Sequence, residues 1–421
     1  MKLEIVKLPD VLFFQEGPGV RKHQFTNAGV KLLNGGNIND NKLSLSTTSK
    51  FVSEEEAYGK YSHFLVDEGD LVIASSGVIV EKFNGKIAFV KKEHLPLCMN
   101  TSTIRFKSIS EKIDINYFYF FLKNNQFKNQ IRRLITGSAQ LNFGPTHLKK
   151  IKIPLPSPEN QKRIAKVLSC CEKLIQKRKE SIELLDEFLK STFLEMFGPE
   201  HENYSKWPIN KVETYAKERK GSMRTGPFGS NLLHSEFTDK GDVCVLGIDN
   251  VVNNTFKWGK PRYITLEKFD VLKRYQVFPD DVLISIMATN GRSAVVPHEI
   301  PLSINSKHLA AITLDQSAIM PYYLKYSFEF HPLILQQLSK NMKGAIMSGL
   351  NLTIIKNLKL PKPPIQKQKE FNLIVQKHQI LKKNFKSSLL EIQNLYGSIN
   401  QKAFKGELDL SKVEINLNEL N

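Results

Sequence analysis

Two carboxylates at the start of an apolar run, Asp280 and Asp281 before Val282 to Ile286, could open a nuclease metal site. Such a site needs further charged ligands on a neighbouring strand, and no Glu-x-Lys follows at a suitable place. The segment reads instead as a turn entering a strand. Phosphate-cradling loops are absent: Gly59-Lys60, Gly85-Lys86 and Gly259-Lys260 are followed by Tyr61, Ile87 and Pro261, not by Ser or Thr. Gly17-Pro18-Gly19 carries a proline where a dinucleotide loop needs freedom. No Asn-Pro-Pro-aromatic stretch is present to hold a flipped base. The ten histidines are scattered without metal-ligand spacing, and His378 falls on a helix seam. The expectation is a chain with no catalytic and no metal residues of its own.

Residues suited to binding are more numerous. Two stretches share one frame: "GPFGSNLLHSEFTDKG" (226–241) and "GPGVRKHQFTNAG" (17–29) both open Gly-Pro and end Phe-Thr-x-x-Gly. Arg21, Lys22 and His23 lie in the first; Lys217, Arg219, Lys220 and Arg224 precede the second, which contains Ser230 and Asn231. A Gly-Pro turn can aim free N–H groups at a phosphate oxygen while neighbouring cations supply attraction; the plain alternative is a β-turn with solvated charges. Short polar side chains and Arg follow strand-like runs at Ser75-Ser76-Gly77 and Asn290-Gly291-Arg292, with Lys307 further on, and suit hydrogen bonds to base edges. Ser138, Gln140 and Asn142 form a third polar cluster.

The elements that must position these residues are written twice. At an offset of 207, Gly137 meets Gly344, "KIPLP" (152–156) meets "KLPKP" (359–363), Gln161-Lys162 meets Gln368-Lys369, and Phe197 meets Phe404. Upstream the offset drifts: Gly69–Ile73 matches Asp280–Ile284, Pro96-Leu97 with Asn100 matches Pro301-Leu302 with Asn305, and Tyr117-Phe118 matches Tyr322-Tyr323. Each copy ends in a long helix with apolar residues near a 3.5-residue period, the seam of a coiled coil. The first seam is Ile164, Leu168, Cys171, Ile175, Ile182, Leu185 and Leu189; the second is Phe371, Val375, His378, Phe385, Leu389 and Ile392. Pro156 and Pro158 permit the first start, while Gly198 and Gly406 stop the helices. The remainder reads as short strands divided by Gly and Asn turns, with amphipathic helices at 117–134 and 321–338.

The chain of 421 residues exceeds one core, so several domains are expected. Its net charge of +18 favours an anionic partner, nucleic acid first. Four cysteines form no disulfide framework, and no secretory leader or membrane span is legible, so a reducing cytoplasm and no membrane partner are expected.

"TGPFGSNLLHSEFTDKG" (225–241), "PLPSPENQKRIAKVL" (154–168), its echo "KLPKPPIQKQKEF" (359–371) and the closing "AFKGEL" (403–408) carry a resemblance over nearly the whole chain. The chain resembles the specificity subunit of type I restriction–modification systems. The first copy lacks the Phe-Gly-Ser-Asn segment, and the second helix lacks the Arg-Ile-Ala of the first. The resemblance implies an α+β fold: two pseudo-twofold-related globular target recognition domains (1–155 and 201–362), separated by two long antiparallel coiled-coil helices (156–200, and 363–421 with the tail). It implies that each domain reads half of a bipartite, asymmetric site in double-stranded DNA. The helices would set the spacing and dock two modification (methyltransferase) subunits, with restriction subunits, ATP-dependent nucleases, joining them. S-adenosylmethionine, ATP and Mg would then be bound by the partners and none by this chain. A stand-alone two-headed DNA-binding regulator, a nuclease with an unrecognised site and a coiled-coil scaffold stay open as alternatives.

Overall fold

The computed structural model describes residues 3–46, 48–135, 140–287, 291–342, 350–410 and 413. The chain forms two compact units, Met1–Lys179 with Ser388–Asn421, and Glu180–Ser387. The division falls inside both long helices, Pro158–Phe197 and Ile365–Lys405, so each helix gives one half to each unit. The helices lie where the sequence places them, yet they are not bodies apart from the globules. Their apolar seams fill the globules' cores.

In the first unit an antiparallel sheet runs Leu12–Glu16, Thr103–Ser108, Leu71–Ala74, Ile87–Phe89. A second sheet places Val30–Leu33 between Leu97–Met99 and Phe51–Val52. The second unit repeats both: Met223–Thr225, Leu309–Ile312, Val282–Ser285, Ser293–Val295, and then Tyr263–Ile264, Val243–Leu246, Ser303–Asn305, Gln276–Val277. The runs "LVIA" and "VLIS" are buried along their whole length, as central strands covered on both faces must be. Most pairings are antiparallel, but among the described residues each unit has one parallel pair, Val30–Leu33 with Leu97–Met99 and Val243–Leu246 with Ser303–Asn305. Both units also carry a two-residue hairpin turn in the left-handed region, Asp40-Asn41 and Asn253-Asn254, residue types that tolerate it.

Side-chain pegs repeat with the strands. Gln161 and Gln368 are buried at the starts of the long helices; each accepts from a backbone N–H, of Asp114 and Met320, at 2.9 Å. Each also donates to a proline carbonyl, of Pro156 and Pro363, at 2.9 Å. Gln130 and Gln337 exchange two hydrogen bonds with the backbones of Lys152 and Lys359, all at 2.8 Å. Tyr117 and Tyr323 donate to the carbonyls of Pro154 and Pro361, so the partner of Tyr117 is Tyr323 and not Tyr322. The register shifts inside that helix, nine residues long in the first unit and ten in the second. The expected amphipathic helices are each broken in two. Asn124 caps Asn125–Leu134 with its side chain, and Pro332 begins a new helix after Phe330.

Within each unit the two helix halves meet antiparallel: Tyr396 bonds Glu172 in the first, and Lys382 pairs with Asp186 in the second. Ile164, Leu168, Leu189, Phe371 and Val375 are buried, because the globule's aromatic helix covers the seam as a third layer. Ile175, Ile182, Leu185, Phe385, Leu389 and Ile392, nearer the helix centres, are half-buried.

Candidate nucleic-acid interface

The repeated Gly-Pro stretch has one structural role in both units. Gly17 follows the strand Leu12–Glu16 and lies against the backbone of Asn100, so close that a Cβ would come within 2.3 Å of its carbonyl oxygen. Gly226 lies likewise on Asn305, at 2.1 Å. No other residue type allows this approach. Asn100 and Asn305 stand at the carboxyl ends of the parallel strand pairs, beside Leu33 and Leu246. The turn is thereby pinned to the same sheet end in each unit, and the loops that follow stand out around it.

In the first unit Arg21 and Lys22 are exposed just beyond that turn. Ser76 and Gly77 donate to Oδ1 of Asn142, both at 2.8 Å, so two of the polar clusters form one exposed patch. Ser75 is buried and reaches no surface, a correction to its reading as a base contact. Gln140 lies in a short strand, Gln140–Leu141, paired with Val78–Ile79; Ser138 lies outside the described residues.

In the second unit the turn carries exposed Phe228, Ser230 and Asn231. Next to it, Ser306 N donates to Leu246 O at 2.8 Å, and Lys307 is exposed at this end. His308 O accepts from Ile286 N at 3.0 Å, and half-buried Arg292 donates its N–H to Ser285 Oγ at 3.1 Å beside it; Asn290 lies outside the described residues. Arg262 pairs with Asp249 beside Gly247 and hydrogen-bonds Val245 O at 3.4 Å. Partial burial, then the charges of Lys307 and Arg262, hold the His308 imidazole below its usual pKa. A neutral imidazole amid cations is a hydrogen-bonding group on a positive surface.

The remaining cations lie elsewhere. Lys220 is exposed, with Arg219, at the opposite end of the strand Met223–Thr225 from Gly226. Arg224 is buried, 6% exposed, and pairs with Asp281; it also donates to Gln276 O at 2.8 Å and Thr313 Oγ1 at 3.0 Å. Its reading as a DNA contact is corrected: its donors face the interior, because the buried carboxylate must be neutralised. The same pairing makes Asp281 a core anchor. Among the described residues no three His, Cys, Asp or Glu side chains gather as a metal set. Sequence reasoning missed Arg262, His308 and Trp258. The interleaved "KWGKPR" (257–262) was the available signal.

An α+β unit that sets cations and small polar groups around one sheet end, present twice with different loops, defines a duplicated DNA-recognition protein. The chain belongs to the family described as the type I restriction modification DNA specificity domain, whose model matches residues 2–184 and 228–391. It is 33% identical over 183 residues to the type I restriction enzyme MjaVIII specificity subunit of Methanocaldococcus jannaschii, spanning 43% of this chain and 42% of that protein. It is 24% identical over 379 residues, 87% of this chain and 84% of the relative, to the putative MjaX specificity subunit of that organism. A chain from a solved type I R-M system aligns with TM-score 0.62 at 16% identity, covering 96% of this chain and 98% of that one. The type I S subunit from M. genitalium aligns with TM-score 0.54 at 15% identity, covering 96% of each. No described helix is long and apolar enough to cross a membrane.

Proposed function

We propose that each unit reads one half of a bipartite, asymmetric DNA sequence, and that the long helices set the gap between the halves. The reading rests chiefly on one observation: the same glycine-pinned sheet end occurs in both units with different loop side chains around it. Similar grips with unlike surfaces suit two unlike half-sites. Exposed Arg21, Lys22 and Lys307, at the glycine-pinned sheet ends, would supply salt-dependent attraction to phosphates; Lys220 lies at the other end of its strand. Ser76, Asn142, Ser230, Asn231 and Arg292 would discriminate bases.

The helices also leave large apolar side chains in solvent, Leu174, Leu184 and Phe188 on the first and Leu381, Leu390 and Leu395 on the second. Such rows suit packing by helices of other chains. We assign them to two modification subunits, with restriction subunits joining that complex. S-adenosylmethionine, ATP and Mg would be held by those subunits, and this chain would carry no catalytic step. The test is to map methylated adenines in cells that carry this chain with an adenine methyltransferase from the same system. A split, non-palindromic motif is expected. A single uninterrupted motif, or methylation independent of this chain, would overturn the reading.

A further inference from the structure

We infer that the second unit seats an aromatic wedge, Trp258, in a groove of the duplex. The inference rests on the reading of this unit as a DNA-recognition domain and assigns one contact to it.

Trp258 is 58% exposed, whereas the other tryptophan, Trp207, is buried at 7%. A tryptophan ring left in water on a folded loop, while the unit's core buries Trp207 and Tyr323, marks a contact surface more than a core defect. The loop that holds it is ordered from inside. Asp249 accepts from Lys260 N at 2.9 Å and pairs with Arg262. Gly259 is drawn so close to that carboxylate that a Cβ would come within 2.1 Å of Oδ2. Asn250 closes the other end, accepting from Lys257 N at 3.0 Å and donating to Lys257 O at 3.0 Å. Between these anchors the ring meets Phe256 edge-on, at 5.3 Å and 88°. Lys257 and Lys260 are exposed on either side.

Position and charge select the partner. The loop is anchored beside Gly247, one residue past the strand end whose Leu246 carbonyl holds Ser306, which Gly226 touches. It therefore borders the same sheet end as Lys307 and the Gly-Pro turn. Cations flanking a protruding ring favour a polyanion with apolar surface between its charges. Duplex DNA fits: lysines meet phosphates while the ring packs on sugars and base edges. The first unit follows its equivalent hairpin with "LSLSTTSK" (43–50), which has neither an aromatic residue nor an arginine. The wedge therefore belongs to one half-site only.

The test uses the full chain carrying Trp207→Phe, so that emission reports Trp258 alone, titrated with a duplex bearing the mapped motif and with a scrambled duplex. Binding to the motif is expected to shield the ring from acrylamide. In the assembled methyltransferase complex, Trp258→Ala is expected to weaken motif binding roughly tenfold. Trp258→Phe should restore much of the loss, and the salt slope should stay unchanged, since no charge is removed. A ring that stays accessible in the bound state, or an alanine variant with wild-type affinity, would overturn the wedge. If the unaltered complex does not tell motif from scrambled duplex, the DNA-recognition reading fails with it.

Discussion

Asp70 and Asp281 hold the same place in the two units, yet the arginine beside each comes from a different strand, and Asp70 also meets Lys107. In the first unit it is Arg105, which lies across the ladder from Gln15; in the second it is Arg224, which lies across from Ala311. Gln15 corresponds to Arg224, and Arg105 to Ala311, so the cation has crossed one rung while serving one carboxylate. Removing a partner from a buried pair costs about 3–5 kcal/mol. Arg224→Gln should therefore strongly destabilise the second unit in urea unfolding. Adding Ala311→Arg, which places an arginine where the first unit has Arg105, should recover part of that loss. The salt slope of DNA binding should not change in the double variant, because Arg224 reaches no phosphate. A reduced slope would return Arg224 to the interface. Nothing in the local sequence separates this arginine from exposed Arg219 and Lys220; only the buried carboxylate it meets in the fold, Asp281, does.

At the scale of elements, the turn between the two short helices differs in chemistry between the copies. Asn124 ends the helix Ile115–Lys123 and bonds Asn400, a pair that does not titrate. His331 takes that place in the second unit, and burial pushes its imidazole down to about 4, against a smaller opposing effect of the Phe197 backbone. A folded value below the unfolded 6.5 means that the neutral ring stabilises the fold. That contribution is complete above about pH 6.5 and is lost as pH falls toward 4, up to about 3 kcal/mol. Thermal unfolding between pH 7.5 and 4.5 should be less pH-dependent in His331→Gln than in the wild type; equal slopes would refute it. This element was partly legible. The 207-residue offset and the proline-led helix starts were readable, because periodicity and turn residues are local signals. The break at Asn124, the extra residue before His331 and the parallel strand pairs were not. They depend on which segments meet in the folded core, and a propensity window does not contain that information.

For the whole molecule, the proposed spacing role of the long helices makes their length the quantity to vary. In the first unit Glu172 meets Tyr396, and in the second Asp186 meets Lys382. Removing one heptad from each helix, 176–182 from the first and 386–392 from the second, leaves each seam its 3.5-residue phase. Seven residues are about 10 Å of helix, or about three base pairs of duplex. If the helices set the gap, the double deletion should shorten the unread spacer by about that much and leave both half-site sequences as they were. Mapping methylated adenines in cells carrying the deleted chain measures spacer and half-sites in one experiment. An unchanged spacer would mean that the gap is set by the globules and not by the helices. Altered half-site bases would mean that the helices shape the reading surfaces themselves. Deleting the heptad from one helix alone should instead put the two seams out of step. It should lower stability before it changes spacing, which separates a length effect from a packing effect.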